Sequence, residues 1–430
     1  MHSISLDSLE ILPDATLVVD SNGKTIAFHK TPPNKHELPS NAQVHCLPPG
    51  DFLIPGFVDT HNHAPQWPMR GMGHGLHILD WLEKITFPHE ARFANPVYAR
   101  KAYESCVDGF LRQGITTASY YGSSHAEATC ILAEICVAKG QRALVGKCNM
   151  DRNAPDSVRD SSAQVSLDET KACVEHILRL QPEASALVKP VLTPRFAVCC
   201  SGELLTGLGE MAKADDDLAI QTHFNEAEQA IAATRELFPQ FKSESDLYEN
   251  FGLMGSKTIL AHCTIMDDYE KARLQELGCG IAHCPIANMT VGGGFMVAPV
   301  AGFLQRGIKV GLGTDSGGGF SSSMLDTIRQ TIIASNAREM LSKGAEKALT
   351  LAQAFYLATL GGAAVLGLDD KVGNFAVGKE FDAAWASSQP VSVMRALEED
   401  ESLSTTFEKF LMTGDDRSIV GVFVQGRRVK

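Results

Sequence analysis

The spacing of apolar and polar positions changes repeatedly along the chain. Residues 52–58 are an unbroken apolar run, Phe-Leu-Ile-Pro-Gly-Phe-Val, which predicts one buried strand. Helical spacing follows over residues 78–87 and 96–113. Strand-like and helix-like stretches then alternate: strand 115–121, helix 126–140, strand 142–150, helix 167–180, strand 186–193, helix 202–213. Further strands are predicted over 218–222, 258–261, 280–282 and 309–313, with helical stretches between most of them. Helices over 324–341 and 352–366 follow, the second predicted as a single helix packed outside the rest. Near the start, residues 15–19 and 24–29 alternate around Ser21-Asn22-Gly23, a hairpin signal. Strand character returns over 381–386 and 419–425.

Eight strands separated by helical crossovers predict parallel pairing and closure into an α/β (β/α)8 barrel. A doubly wound open sheet ranks second, because no glycine-rich phosphate fingerprint opens the first unit. The predicted division places the barrel at residues 51–368. Residues 1–50 and 369–430 would form a small β domain assembled from both chain termini.

Composition narrows the function classes. The chain has 430 residues, 44% of them hydrophobic, which supports a large core. A net charge of −13 argues against a phosphate-tracking nucleic-acid binder. The first twenty residues lack a basic n-region and carry Asp7, Glu10 and Asp14, so they do not read as a signal peptide. No apolar run has the length of a membrane span. Eleven cysteines without a Cys-x-x-Cys spacing fit reduced thiols in a cytoplasmic enzyme.

The candidate chemistry lies at the ends of the predicted strands, where such barrels carry their sites. Strand 1 runs into His61 and His63, two positions apart, so in an extended chain both imidazoles face one point. Strand 5 ends at His223 with Glu226 three residues on; strand 6 ends at His262, strand 7 at His283, strand 8 at Asp315. A nitrogen-rich set with one carboxylate suits zinc, with iron as a substitute. The ligands expected are His61, His63, His223 and Asp315, one metal per chain. His262 is expected to bond metal-bound water or substrate. His283 is the weakest of the group. Lys189 lies within strand 4 and reads as structural, so no bridged second metal is expected.

Pro-Gly-Phe-Val-Asp-Thr-His-x-His at residues 55–63, the histidines of strands 5 and 6, His283-Cys284-Pro285 and Gly313-Thr314-Asp315 resemble, in this order, the amidohydrolase superfamily. Gly378-Lys379-Glu380-Phe381-Asp382 resembles its usual return to the β domain. Within the superfamily the guanine deaminase family is most similar. That resemblance rests on Asp80-Trp81-Leu82-Glu83-Lys84 with Thr86-Phe87-Pro88, on Gly114-Ile115-Thr116-Thr117-Ala118 and on the stretch 140–147. Thr193-Pro194-Arg195-Phe196 and Thr359-Leu360-Gly361-Gly362 also match, and the similarity runs from about residue 50 to the end.

The resemblance implies a zinc-dependent hydrolytic deaminase converting guanine to xanthine and ammonia, typically a cytosolic homodimer. It implies zinc on His61, His63, His223 and Asp315, and Glu226 as proton shuttle. It puts the purine against His63, Ala64, Pro65, Gln66, Arg195 and Phe196, beside His223, Glu226 and Asp315. The chemistry is consistent: zinc lowers the pKa of bound water from about 16 toward 7, giving hydroxide that attacks C2. Asp315 would act as base, and Glu226 would pass protons to the ring and the departing amine. Arg195 could meet O6 and N7 of guanine with two donors. Phe196 would offer an apolar face, and Gln66 a group that donates or accepts.

The sequence departs from the family pattern at Phe224-Asn225, where Ser is usual before Glu, and at Ile286-Ala287, where Asn-Ser is usual; the last two are expected to make the pocket side more apolar. Ser316-Gly317-Gly318 replaces Val-Ala-Gly. A related ring, such as 8-oxoguanine, a pterin or a triazine, is the alternative substrate, and a non-catalytic scaffold is the alternative class.

Overall fold

In a computed structural model, residues 1–34, 36, 38–183, 186–291, 296–388 and 401–430 are described. Residues 389–400 of the predicted C-terminal β segment lie outside them.

The apolar run of residues 52–58 is two strands rather than one. β5 (Phe52–Pro55) belongs to the small sheet, and β6 (Phe57–His63) opens the barrel. The break falls at Gly56, where a Cβ would lie 2.0 Å from Thr116 Oγ1. Only glycine lets the chain turn there against that hydroxyl. Periodicity could not show the break, because both halves are buried.

The barrel continues through β7 (Ile115–Tyr121), β8 (Arg142–Gly146), β10 (Val188–Pro194), β11 (Ala219–Phe224), β12 (Thr258–His262), β13 (Gly280–His283) and β14 (Lys309–Leu312). A two-residue strand, β9 (Cys148–Asn149), pairs beside β10. The strand predicted over 142–150 is thus interrupted at Lys147, whose ammonium is buried against Asp160. The eight main strands are parallel and in sequence order. Backbone bonds from Asp315 N to His61 O (2.9 Å) and from His63 N to Ser316 O (3.2 Å) join the last unit to the first.

Val58, Leu144, Val191, Ile259, Ala261 and Ala282, from five barrel strands, form one apolar interior cluster. The helix predicted over 352–366 is two short ones, Leu351–Leu357 and Leu360–Val365. The second is not outside the barrel alone: Ala363, Val365 and Leu366 join the interior cluster.

Both ends of the chain supply the small β elements, as expected. β1 (His2–Ser5) pairs with β2 (Ser8–Glu10), and β3 (Thr16–Val19) with β4 (Thr25–His29). β5 pairs with β15 (Ala383–Ala386), which continues through β16 (Ile419–Val424) to β17 (Arg427–Arg428). A helix over Leu403–Thr413, capped by Ser402, lies between those strands. The strand-like reading of that region missed it. Its Phe407 and Phe410 stack edge-on against Phe52.

Candidate active site

The strand ends converge as the barrel rule requires. His61, His63 and His223 place ring nitrogens within 4.8 Å of one another. His63 Nε2 and His223 Nε2 are 3.0 Å apart. Asp315 Oδ1 lies 3.2 Å from His61 Nε2 and 3.7 Å from His63 Nε2. His262 joins the same cup, its Nε2 lying 3.7 Å from Glu226 Oε1 and 4.0 Å from Asp315 Oδ2.

Burial holds His61, His63 and His223 well below the usual histidine range, so their rings are neutral lone-pair donors. The tautomers are set from behind. His223 Nδ1 donates to the Arg195 carbonyl at 2.6 Å, and His262 Nδ1 to Asn288 Oδ1 at 2.8 Å. His223, neutral by burial, therefore turns an unprotonated Nε2 into the cup. The buried Nε2 atoms of His61 and His262 have no hydrogen-bond partner. Converging, unsatisfied nitrogens beside a carboxylate fit a cation such as zinc.

Local backbone makes this convergence possible. Asn225, His262, Cys263 and Asp315 all have positive φ, at 45°, 75°, 48° and 43°. Strain of this kind persists only where surrounding contacts hold it. At Asp315 the holding group is Asp59, buried beneath the cup. It accepts from Thr314 N at 2.9 Å and Thr314 Oγ1 at 2.7 Å, and burial pushes its carboxyl up to about 7. At Asn225 the backbone N–H donates to Glu244 Oε2 and the side-chain amide to Glu270 Oε2, both at 2.8 Å. This fixes the next residue, Glu226, over the cup.

Above the cup is a cavity. Its polar lining includes His63, Gln66, Arg195, His223, Glu226 and Asp315; Ile78, Trp81, Leu82, Phe196 and Val291 supply the apolar wall. That mixture of a polar floor and an apolar wall suits a small, flat, polar heterocycle. Gly318 also lines it: a Cβ there would lie 2.8 Å from Asp315 Oδ2. Burial raises Glu226 above the usual carboxylate range, helped by Asp315 and opposed by His262. Burial likewise pushes Asp315 up to about 6.

Most predicted residues meet here, and some do not. Ala64 and Pro65 are buried in the turn Ala64–Met69 and are not among the cavity-lining residues. Ile286 and Ala287 are buried in the short helix Pro285–Thr290 and are not among the cavity-lining residues either. Asn225 turns its amide away, toward Glu270. His283 faces a separate small cavity with Ser335 and Arg338, because β13 turns alternate side chains to opposite faces.

Glu90 was missed altogether. It accepts from Arg195 Nη1 at 2.7 Å, Arg195 Nη2 at 3.2 Å and Gln66 Nε2 at 2.9 Å. A glutamate in an ordinary helical stretch carries no sequence signal for this. Asn288 was not singled out either; its bond to His262 gives it a role.

The comparisons with known proteins agree with this geometry. The model of the amidohydrolase family matches residues 52–429. Guanine deaminase of Dictyostelium discoideum is 37% identical over 446 residues, covering 100% of this chain and 96% of that protein. Guanine deaminase of Escherichia coli strain K12 is 36% identical over 425 residues, covering 98% and 92%. The crystal structure of the C. acetobutylicum guanine deaminase, with guanine in its active site, superposes with a TM-score of 0.91. It is 31% identical and covers 100% of this chain and 98% of its own. The similarity therefore includes the first fifty residues, beyond the extent expected from motifs. This chain belongs to the amidohydrolase family and, within it, to the guanine deaminase family.

Proposed function

We propose that this protein hydrolyses guanine to xanthine and ammonia, with one zinc ion per chain held by His61, His63, His223 and Asp315. The observation carrying this reading is the junction of two features. Three neutral imidazoles and a carboxylate converge at the floor of a cavity whose wall presents Arg195, Gln66 and Phe196. Zinc, when bound, supplies a Lewis acid that makes water nucleophilic at neutral pH.

The protein groups supply the rest. Asp315, raised to about 6 by burial, is a stronger base than an exposed aspartate and sits where it can take a proton from the attacking water. Glu226, also raised by burial, can pass that first proton to a ring nitrogen, and the water's second proton, lost when the new C2 hydroxyl becomes a carbonyl, goes to the leaving amine, which departs as ammonia. His262, tethered by Asn288, faces the same point and can bond the attacking water or the new oxygen. Arg195 directs donors at an edge bearing O6 and N7. Adenine would turn an amine toward Arg195, and it has no amine at C2. We further place the enzyme in the cytoplasm as a homodimer acting on a free purine, without nucleic acid or membrane. Among the described residues no helix is long and apolar enough to cross a membrane.

Steady-state ammonia release from guanine, 8-oxoguanine, adenine, a pterin and a triazine, with metal analysis of the same sample, tests this. Guanine should have the highest kcat/KM with one zinc per chain. Preference for another ring, two metals per chain, or no turnover by zinc-replete protein would refute it.

A further inference from the structure

Gln66 and Arg195 reach the cavity from elements far apart in sequence, the turn Ala64–Met69 and the end of β10. One carboxylate connects them. Glu90 ends the helix Phe87–Glu90, is only 5% exposed and is not among the cavity-lining residues. Its Oε2 accepts from Arg195 Nη1, and its Oε1 accepts from both Arg195 Nη2 and Gln66 Nε2.

Two consequences follow from the donor inventory. A free glutamine amide can turn either its oxygen or its nitrogen toward a ligand. Here the nitrogen is taken by Glu90, and the buried Oε1 is left without a protein partner. Gln66 is thus held as an acceptor. Arg195 gives one N–H from each terminal nitrogen to Glu90, and a weak further contact runs from Nη1 to the Met150 sulfur. Among the described residues no acceptor takes the N–H on Nε or the second one on Nη2. The wall is therefore a fork of donors beside a bare acceptor, with the charge of the fork compensated from behind.

We propose that Glu90 is the positioning residue that sets this donor–acceptor code, acting through Gln66 and Arg195 without touching substrate. The proposal rests on the guanine reading and adds how the ring is chosen. The ligand must bring an acceptor to Arg195 and a donor to Gln66 Oε1. Guanine has both, in its O6/N7 edge and its N1–H and 2-amino groups. Adenine keeps the N7 acceptor but reverses the two neighbouring positions, with a 6-amino donor in place of O6 and an N1 acceptor in place of N1–H.

The test separates binding from chemistry with two purines that cannot be deaminated at C2. Inhibition constants for hypoxanthine (O6 and N7 acceptors, N1–H donor) and adenine are measured on zinc-replete wild type, Glu90→Gln, Gln66→Met and the double variant. Wild type should favour hypoxanthine by roughly 10-fold or more. In Glu90→Gln a neutral amide replaces the carboxylate, so Gln66 is free to turn over. Discrimination should fall toward unity, and KM for guanine should rise by about 10-fold or more, with a smaller change in kcat and unchanged zinc. The double variant should lose less than the product of the two single losses, because both act through one contact. Should Glu90→Gln not accumulate as folded protein, Glu90→Asp, which keeps the charge but shortens its reach, should shift the same ratio in the same direction. Unchanged discrimination in the folded variant, or strictly multiplicative losses, would overturn the proposal. The inhibitor ratio does not depend on turnover. Wild type that discriminates but does not deaminate guanine would leave this code standing and refute the guanine reading.

Discussion

Arg142 and Arg195 are both buried against carboxylates, at opposite ends of the barrel. Arg142 begins β8, on the side where the barrel meets the small sheet. It donates from Nε to Asp382 Oδ2 at 3.0 Å and from Nη2 to Glu380 Oε2 at 2.6 Å. Arg195 follows β10 on the catalytic rim and has Glu90 as its one carboxylate. In both cases burial opposes the charge, and neighbouring carboxylates more than offset it, holding the guanidinium ionised.

The difference is stoichiometric. At the seam two carboxylates share one guanidinium, and Asp382 also accepts from Gln425 N at 2.7 Å. No cavity adjoins Arg142 among those described. At the rim one carboxylate serves an arginine and a glutamine that both face a cavity. A buried ion pair alone says nothing about function. What marks the rim pair is the polar capacity left over, directed at a cavity.

This contrast predicts that rim changes alter activity and seam changes alter stability. The largest effect should come from the floor of the cup. His61→Ala or His223→Ala should lose the zinc and with it essentially all turnover, read by elemental analysis and ammonia release. Full activity in a zinc-free His61→Ala protein would remove the metal from the site. Glu226→Gln should keep both zinc and the denaturation midpoint while kcat falls by about 10²–10⁴. Near-normal kcat there would mean the proton travels by another route.

Arg142→Met should do the converse. Glu380 and Asp382 would be left buried without their cation, costing about 3–5 kcal/mol of stability. The fraction that remains folded should keep the wild-type KM. A changed KM would show that the two ends of the barrel are coupled. The smallest effect belongs to Arg195→Ala. Loss of a charge-assisted bond, about 1.5–3 kcal/mol, should lower kcat/KM for guanine by roughly 10–200-fold with zinc content unchanged. Equal kinetics on guanine for Arg195→Ala and wild type would detach Arg195 from the substrate.

The sequence alone determined the barrel and the cup, and for a definite reason. A strand end is a local event: an apolar run stops, and the next residues stand on one rim whatever the distant packing. His61, His63, His223, His262 and Asp315 could therefore be read as one site from four separate places in the chain. The quoted stretch 140–147 and Glu380-Phe381-Asp382 were likewise visible as motifs. Only the folded chain showed that they touch, Arg142 against Glu380 and Asp382.

Tertiary structure decided everything that depends on which atoms meet. Gly56 splits an apolar run because Thr116 stands against it. His283 ends a strand like its neighbours yet points out of the barrel, since register assigns alternate residues to opposite faces. Ala64, Pro65, Ile286 and Ala287 stand close to site residues in sequence but do not line the cavity. Glu90 lies 105 residues from Arg195 and 24 from Gln66. No periodicity links such positions, because a hydrogen bond between distant segments leaves no trace in either segment's own pattern.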